Sequence, residues 1–254
     1  MIFTVKLADM YIQIESKYPE FKEFCKDYVV ENVTPDFCVS WTEDEILAER
    51  EHELTGNFTP TYLETLAALR KISEALPSYR RLLIHGAAIT LDDKAYLFTA
   101  PSGTGKSTHI RLWKEYLGAR VDIVNGDKPF ISLTNESDTW LSDAPNAEKI
   151  APRIHGTPWA GKENWQKNRN APLNGICFLR RGLKNKIRRL EPAECLQLLF
   201  NQVYLPKDKL ALQFTLELMD VLVRNVPLYL LECNISEDAV KCSFEGMTGM
   251  EYSE

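Results

Sequence analysis

Residues 100–107, APSGTGKS, are the feature that most narrows what this 254-residue chain can fold into. A small residue, four others and then Gly-Lys-Ser make a phosphate-binding loop only where a buried strand runs in and a helix runs out. Both are legible. KAYLFTA (94–100) reads as a buried strand, and HIRLWKEYLG (109–118) as a helix with Ile110, Trp113 and Leu117 on one face. Gly118 stands where a helix-ending glycine belongs. Gly103 and Gly105 let the backbone turn so that successive N–H groups form an anion nest, with Ser102 and Thr104 completing the loop. The positive end of the following helix supports the anion. Lys106 is expected to reach the β- and γ-phosphates and Ser107 to offer its hydroxyl to Mg²⁺, with Thr108 beside it in the first helical turn.

Such a loop needs an acid nearby. VDIVNGD supplies Asp127, 21 residues after Lys106, a distance that holds one helix, one turn and one strand. Its expected roles are Mg²⁺ ligation and acceptance of a hydroxyl proton, although Asn-Gly-Asp is also ordinary turn chemistry. His85 lies in the strand that precedes the loop strand, where it either packs or supports Asp127 and phosphate. APRIHGTPWAGKENWQKNRNAPL (151–173) combines Arg153, Trp159, Trp165 and several lysines. Two readings stand: a segment that closes over a bound anion, with Arg153 offsetting charge, or a partly buried surface loop.

Along the chain, Met1–Ile14 reads as one strand-like stretch, Phe37–Trp41 as a second strand and Glu43–Glu53 as helical. Thr59-Pro60 starts a helix that Pro77 ends. LLIHGAAITL (82–91) reads as one buried strand and Asp92-Asp93 as a hairpin turn. NGICFLRR and PLYLLEC read as later strands, Glu191–Val203 and Asp208–Val223 as helices. Hairpins and crossovers together imply an α/β class with a mixed sheet flanked by helices. The expected organisation is a small N-terminal α+β module over residues 1–80, then a nucleotide-binding domain over 81–254.

Charge supports that division. Residues 1–80 hold 8 basic and 15 acidic side chains, whereas 151–190 hold 10 basic and one acidic. The rear therefore either faces something anionic or is a solvated basic surface. A net charge of −6 argues against a nucleic-acid binder. No apolar run reaches the ~18 residues of a membrane span and no signal peptide is visible, so a cytoplasmic location is expected. Six scattered cysteines without a CxxC pair fit reduced, structural thiols.

Residues 82–133 resemble the HPr kinase/phosphorylase and phosphoenolpyruvate carboxykinase superfamily. The likeness lies in an HG-containing strand, a hairpin, the glycine loop and an acid only about twenty residues on. It extends more thinly to about residue 235. The resemblance implies a phosphoenolpyruvate-carboxykinase-like core and a Mg²⁺-ATP-dependent kinase, with ADP or pyrophosphate as other donors. A hydroxyl acceptor is implied, a serine in a protein or peptide or as a free small molecule. Lys106 and Ser107 match the family's phosphate and Mg²⁺ residues, His85 its strand histidine, and Gly126–Asp127 its pair of aspartates. Three positions depart from the pattern: Thr108 replaces the glutamate of HPr kinases, Gly126 replaces the first aspartate, and only Arg153 stands in for the arginine signature. An acid restored at 126 is expected to raise turnover. The alternative reading is a nucleotide-binding sensor, catalytically weak, that acts through a protein partner. Self-association is left open.

Overall fold

The computed structural model describes residues 1–52, 58–134 and 150–253. The first strand-like stretch is two strands, β1 (Ile2–Leu7) and β2 (Met10–Glu15), paired antiparallel. Ala8 and Asp9 between them both take positive φ, 49° and 63°, the turn whose twist matches a hairpin. Alternation within one long strand and within a hairpin look alike in sequence, and Ala-Asp lacks the usual glycine. A short helix α1 (Glu20–Phe24), β3 (Val29–Val30) and β4 (Phe37–Ser40) complete a sheet of order β3-β1-β2-β4, with β4 parallel to β2.

Helix α2 (Glu43–Ala48) opens on a Thr42–Glu45 capping box, and α3 (Pro60–Ala75) on Thr59, whose Oγ1 accepts the Tyr62 amide at 3.2 Å. Phe3, Val5 and Leu7 of β1 meet Ile12, Ile14, Phe21, Trp41 and the Leu63/Ala67/Ile72 face of α3 in one core. Leu83, Phe130 and Trp159 from later in the chain enter the same core. Glu64 is fully buried there, and its carboxylate accepts the Trp41 indole N–H at 2.8 Å and the Tyr18 amide at 3.1 Å. A buried carboxylate is tolerated because donors surround it.

The stretch 82–91 is likewise two strands, β5 (Arg81–Leu83) and β6 (Ala87–Leu91), broken at Ile84–Gly86. The bend follows from crowding and hydrogen bonding. A Cβ on Gly86 would lie 2.8 Å from Leu97 Cδ1, and the His85 amide donates to the Gln202 carbonyl at 2.7 Å instead of to a strand. Strand β7 (Lys94–Thr99) follows the Asp92-Asp93 turn, both residues at positive φ. Then come α4 (Lys106–Leu117), β8 (Val121–Asn125), β9 (Phe130–Ser132), β10 (Arg153–His155) and the long β11 (Asn170–Arg181). The chain ends through β12 (Lys186–Arg189), α5 (Pro192–Leu199), α6 (Lys209–Asn225), β13 (Leu228–Cys233) and α7 (Glu237–Thr248).

These strands form a nine-stranded mixed sheet, β5-β9-β10-β11-β7-β6-β8, with β13 parallel to β11 and β12 on β13. Strands β7 and β11 are parallel and the other neighbours on the path are antiparallel. Period-two alternation buries both faces. Leu97, Ile176 and Phe178 face Leu199 of α5 and Leu218 and Leu222 of α6. Tyr96, Phe98 and Cys177 face Ile110 and Trp113 of α4 and Phe244 of α7. The fold is thus mixed α/β, helices on both sides of the larger sheet. No described helix is long and apolar enough to cross a membrane.

Two histidines are buried in this framework. His109 Nε2 meets Ser243 Oγ at 3.1 Å and accepts the Trp113 indole N–H at 3.2 Å. His155 Nε2 meets Ser132 Oγ at 2.9 Å. Burial pushes both imidazoles from the ordinary 6.5 down to about 4, and at His155 the Asp9 carboxylate opposes this without overcoming it. Between these values the unfolded chain binds more protons than the folded one. Stability is therefore complete above about pH 6.5 and declines as pH falls toward 4. The urea midpoint should drop steadily between pH 7 and 4.5; a midpoint constant across that range would contradict the burial of neutral imidazoles.

Candidate active site

The site is assembled where three chain bends meet. The first is the glycine loop after β7. Gly103 and Gly105 take φ of 74° and 120°, with open space where a Cβ would stand, so their requirement is conformational. Gly105 caps α4 without a side-chain hydrogen bond, which leaves first-turn amides for a ligand. Ser102 is exposed, Ser107 and Thr108 are half-buried in that first turn, and Lys106 is buried. The Lys106 ammonium donates to the Ala100 carbonyl at 2.9 Å, folding over the loop it follows. Burial lowers its pKa, the Asp127 carboxylate raises it, and the Lys128 ammonium lowers it further.

The second bend carries His85. Its carbonyl accepts Thr99 Oγ1 at 2.7 Å, tying it to the end of the loop strand. The third is the turn 125–128. Asn125 is fully buried, and its Oδ1 accepts the amides of Asp127 (2.9 Å) and Lys128 (2.8 Å). Its Nδ2 donates to the Thr157 carbonyl at 2.9 Å, while Thr157 Oγ1 donates to the Lys128 carbonyl at 2.7 Å. The Asp127 carbonyl accepts the Gly86 amide at 2.9 Å, locking the second bend to the third.

The result is a compact charge cluster. His85 Nε2 lies 3.2 Å from Asp127 Oδ1, and Lys128 Nζ lies 3.4 Å from Asp127 Oδ2. Burial works against ionising Asp127, but the hydrogen bond from His85 and the charges of Lys128 and Lys106 outweigh it and hold the carboxyl below its ordinary value. A cleft of about 1060 Å³ opens beside the loop, lined by His85, residues 99–104, Arg180, Arg181 and Gln202. No carboxylate lines it among the described residues.

Mg²⁺ asks for hard oxygens, one or two from the protein and the rest from phosphate and water. The Ser107 hydroxyl and Asp127 Oδ2 are oxygens of that kind, and Oδ2 is paired with the Lys128 ammonium at 3.4 Å, longer than a close hydrogen bond. No group of three or more His, Cys, Asp or Glu side chains placed to hold a metal occurs among the described residues, so phosphate would have to complete the shell. Ser107 and Asp127 carry the kind of oxygen that Mg²⁺ would need.

Arg153 does not reach this site. Its strand pairs with the start of β11, Arg153 opposite Pro172, and its guanidinium donates to Asn170 Oδ1 at 2.9 and 2.6 Å. The β11 residue beside the loop end of β7 is Phe178, six positions on. At about 3.3 Å per residue that is on the order of 20 Å away. The arginines that do reach the loop are Arg180 and Arg181, at the other end of β11. Arg181 donates to the carbonyls of Gly103 and Thr104, and Arg180 lies 3.5 Å from Glu232. Their signal in sequence was the pair of arginines that closes the buried run GICFL, legible only once β11 is known to lie parallel to β7.

The 151–173 segment is a pinned, partly buried loop and not a lid. Trp159 is buried, its indole N–H donating to the Thr65 carbonyl at 2.7 Å. Lys167 and Arg169 both pair with Asp122, at 2.6 and 2.9 Å. Arg188 pairs with Glu194 at 2.6 Å, while Arg153 bonds the uncharged Asn170, so part of the basic run is neutralised within the chain.

No protein-family model matches the chain, and no curated protein matches it. Among solved structures, the Hpr(Ser) kinase/phosphatase from Coxiella burnetii is similar at a TM-score of 0.32 and 12% identity, covering 62% of this chain and 83% of that one. A likeness of that extent leaves the fold to the strand pairing above and the function to the site's own chemistry.

Position 126 corrects one expectation. A Cβ on Gly126 would stand 2.6 Å from the Ala160 carbonyl oxygen, so no side chain fits without moving backbone. Gly126→Asp is expected to lower stability by about 1–3 kcal/mol, as overpacking does, and to raise no activity. Wild-type stability in urea denaturation would contradict the closed geometry.

Proposed function

We propose that this chain is a phosphotransferase of the HPr-kinase-like type, moving the terminal phosphoryl group of ATP, or of ADP or pyrophosphate, to a hydroxyl acceptor. One observation carries the reading: the carboxylate of Asp127 sits among Lys106, Lys128 and His85 at the foot of a glycine loop flanked by a buried strand and a helix. That is the chemistry phosphoryl transfer asks for, which is positioning and charge neutralisation with little covalent work by the protein.

In this reading the loop amides and Lys106 hold the β- and γ-phosphates. Ser107 and Asp127 hold Mg²⁺, which when bound neutralises phosphate charge. The acceptor enters the 1060 Å³ cleft beside His85. His85, which lines the cleft and meets Asp127 Oδ1 at 3.2 Å, is the route by which the acceptor's hydroxyl proton reaches Asp127. The arginines at the cleft suit an acceptor that carries negative charge, and a serine in a protein, a peptide or free in solution is the acceptor proposed. The closed position at Gly126 admits no acid there, which favours as second reading a nucleotide-binding sensor of low turnover acting through a partner.

Ligand binding to the native state raises the melting temperature by mass action. ATP, ADP and pyrophosphate should each be titrated with and without Mg²⁺. At a hundred-fold excess over Kd the expected rise is on the order of 5–10 °C, lost in Lys106→Ala. An equal rise in Lys106→Ala, or none in the wild type, would remove the loop from the function.

A further inference from the structure

We propose that Lys128 contacts the terminal phosphoryl group and offsets the charge it develops during transfer, the part that Arg153 is too distant to play. The inference rests on the phosphate reading of the glycine loop and adds a residue to it. Three observations lead to it.

The first is local charge. The Lys128 ammonium and the His85 imidazole contact the Asp127 carboxylate, and the Lys106 charge acts on it from farther off. Lys128 also acts on Lys106, so the two cations share one small region. The glycine loop, where a phosphate would bring negative charge, borders the same region.

The second is how Lys128 is held. Its backbone is fixed from both sides: the amide donates to Asn125 Oδ1 at 2.8 Å and to the Trp159 carbonyl at 3.1 Å, and the carbonyl accepts Thr157 Oγ1 at 2.7 Å. The turn thus fixes the backbone from which the side chain extends. The ammonium is 3.4 Å from Asp127 Oδ2, longer than a hydrogen bond, and the side chain is 28% exposed. An ammonium loosely paired at a rim can shift to a better partner at little cost.

The third is elimination among the other cations. Arg181 is occupied by the Gly103 and Thr104 carbonyls and Arg153 donates to Asn170, which leaves Arg180, paired with Glu232 at 3.5 Å, as the competing cation.

The step balances without a further reactant. The acceptor O–H breaks and its proton goes to Asp127. A new O–P bond forms, the bridging P–O bond breaks, and its electron pair leaves on the departing diphosphate. Lys128 takes no proton; it holds an oxygen of the group in flight.

The test compares ligands that differ by one terminal phosphate: fluorescent mant-ATP against mant-ADP, and tripolyphosphate against pyrophosphate by thermal shift, all with Mg²⁺. Wild type, Lys128→Met, Lys128→Gln and Lys128→Arg should be compared, each first checked for an unchanged melting temperature. The wild type should prefer the longer ligand. Lys128→Met and Lys128→Gln should lose about ten-fold of that preference, the scale of one charge-assisted hydrogen bond, with the shorter ligand bound as before. Lys128→Arg should keep most of it. A wild type with no preference, or a preference intact in Lys128→Met and Lys128→Gln, overturns the proposal alone. A wild type that binds none of the four overturns it together with the loop's assigned role.

Discussion

A buried carboxamide holds the candidate site together. Asn125 ends strand β8 fully buried, and its two polar ends organise the chain on either side. One end takes the amides of the turn that presents Asp127 and Lys128; the other grips Thr157 on the neighbouring segment. An unmet polar group at such depth costs on the order of 1–3 kcal/mol, so the network is made complete or the turn is lost. Around it the backbone is packed too closely for side chains: Gly126 against the Ala160 carbonyl, Gly86 against Leu97 and Phe98. The position of one carboxylate is thereby tied to the core of the larger sheet.

The glycine loop depends on the same sheet in another way. Strand β7 is parallel to β11, and β11 to β13, so their C-terminal ends emerge together. Ligands of open sheets collect at such ends. Thr99 leads into the loop there and Arg180 and Arg181 follow Phe178 there, which is why residues some eighty positions apart line one cleft. The antiparallel strands β6 and β8 bring the turn 125–128 to that place from the other side.

Much of this was legible in the sequence, and the failures share a cause. Strand, loop and helix around 94–118 follow from short-range patterns, as do the Asp92-Asp93 turn and the Thr59 cap, because each is decided by neighbours in the chain. The break at His85–Gly86 was not legible, since it answers to Leu97, Phe98 and Gln202. Arg153 looked like the arginine of the site for want of strand register, and one register assignment, Arg153 opposite Pro172, removes it. The closure of position 126 likewise belongs to Ala160, 34 residues on. The helix α7, whose Ser243 meets His109, went unread for the same reason: its amphipathic face acquires meaning only against α4. Glu53 and residues 135–149 lie outside the described residues, so the helix expected over 43–53 is seen only as α2 followed by a short tight turn to His52.

In the proposed function the first-turn amides of α4, which no side chain caps, are the anion site beside Asp127 and its cations. Amide hydrogen exchange followed residue by residue, with and without Mg²⁺-ATP, tests it most directly. The account predicts marked slowing at residues 103–108 and little change at Asp127 and Lys128, whose amides Asn125 already holds. Exchange at 103–108 unaltered by saturating nucleotide, with protection arising elsewhere, would contradict it.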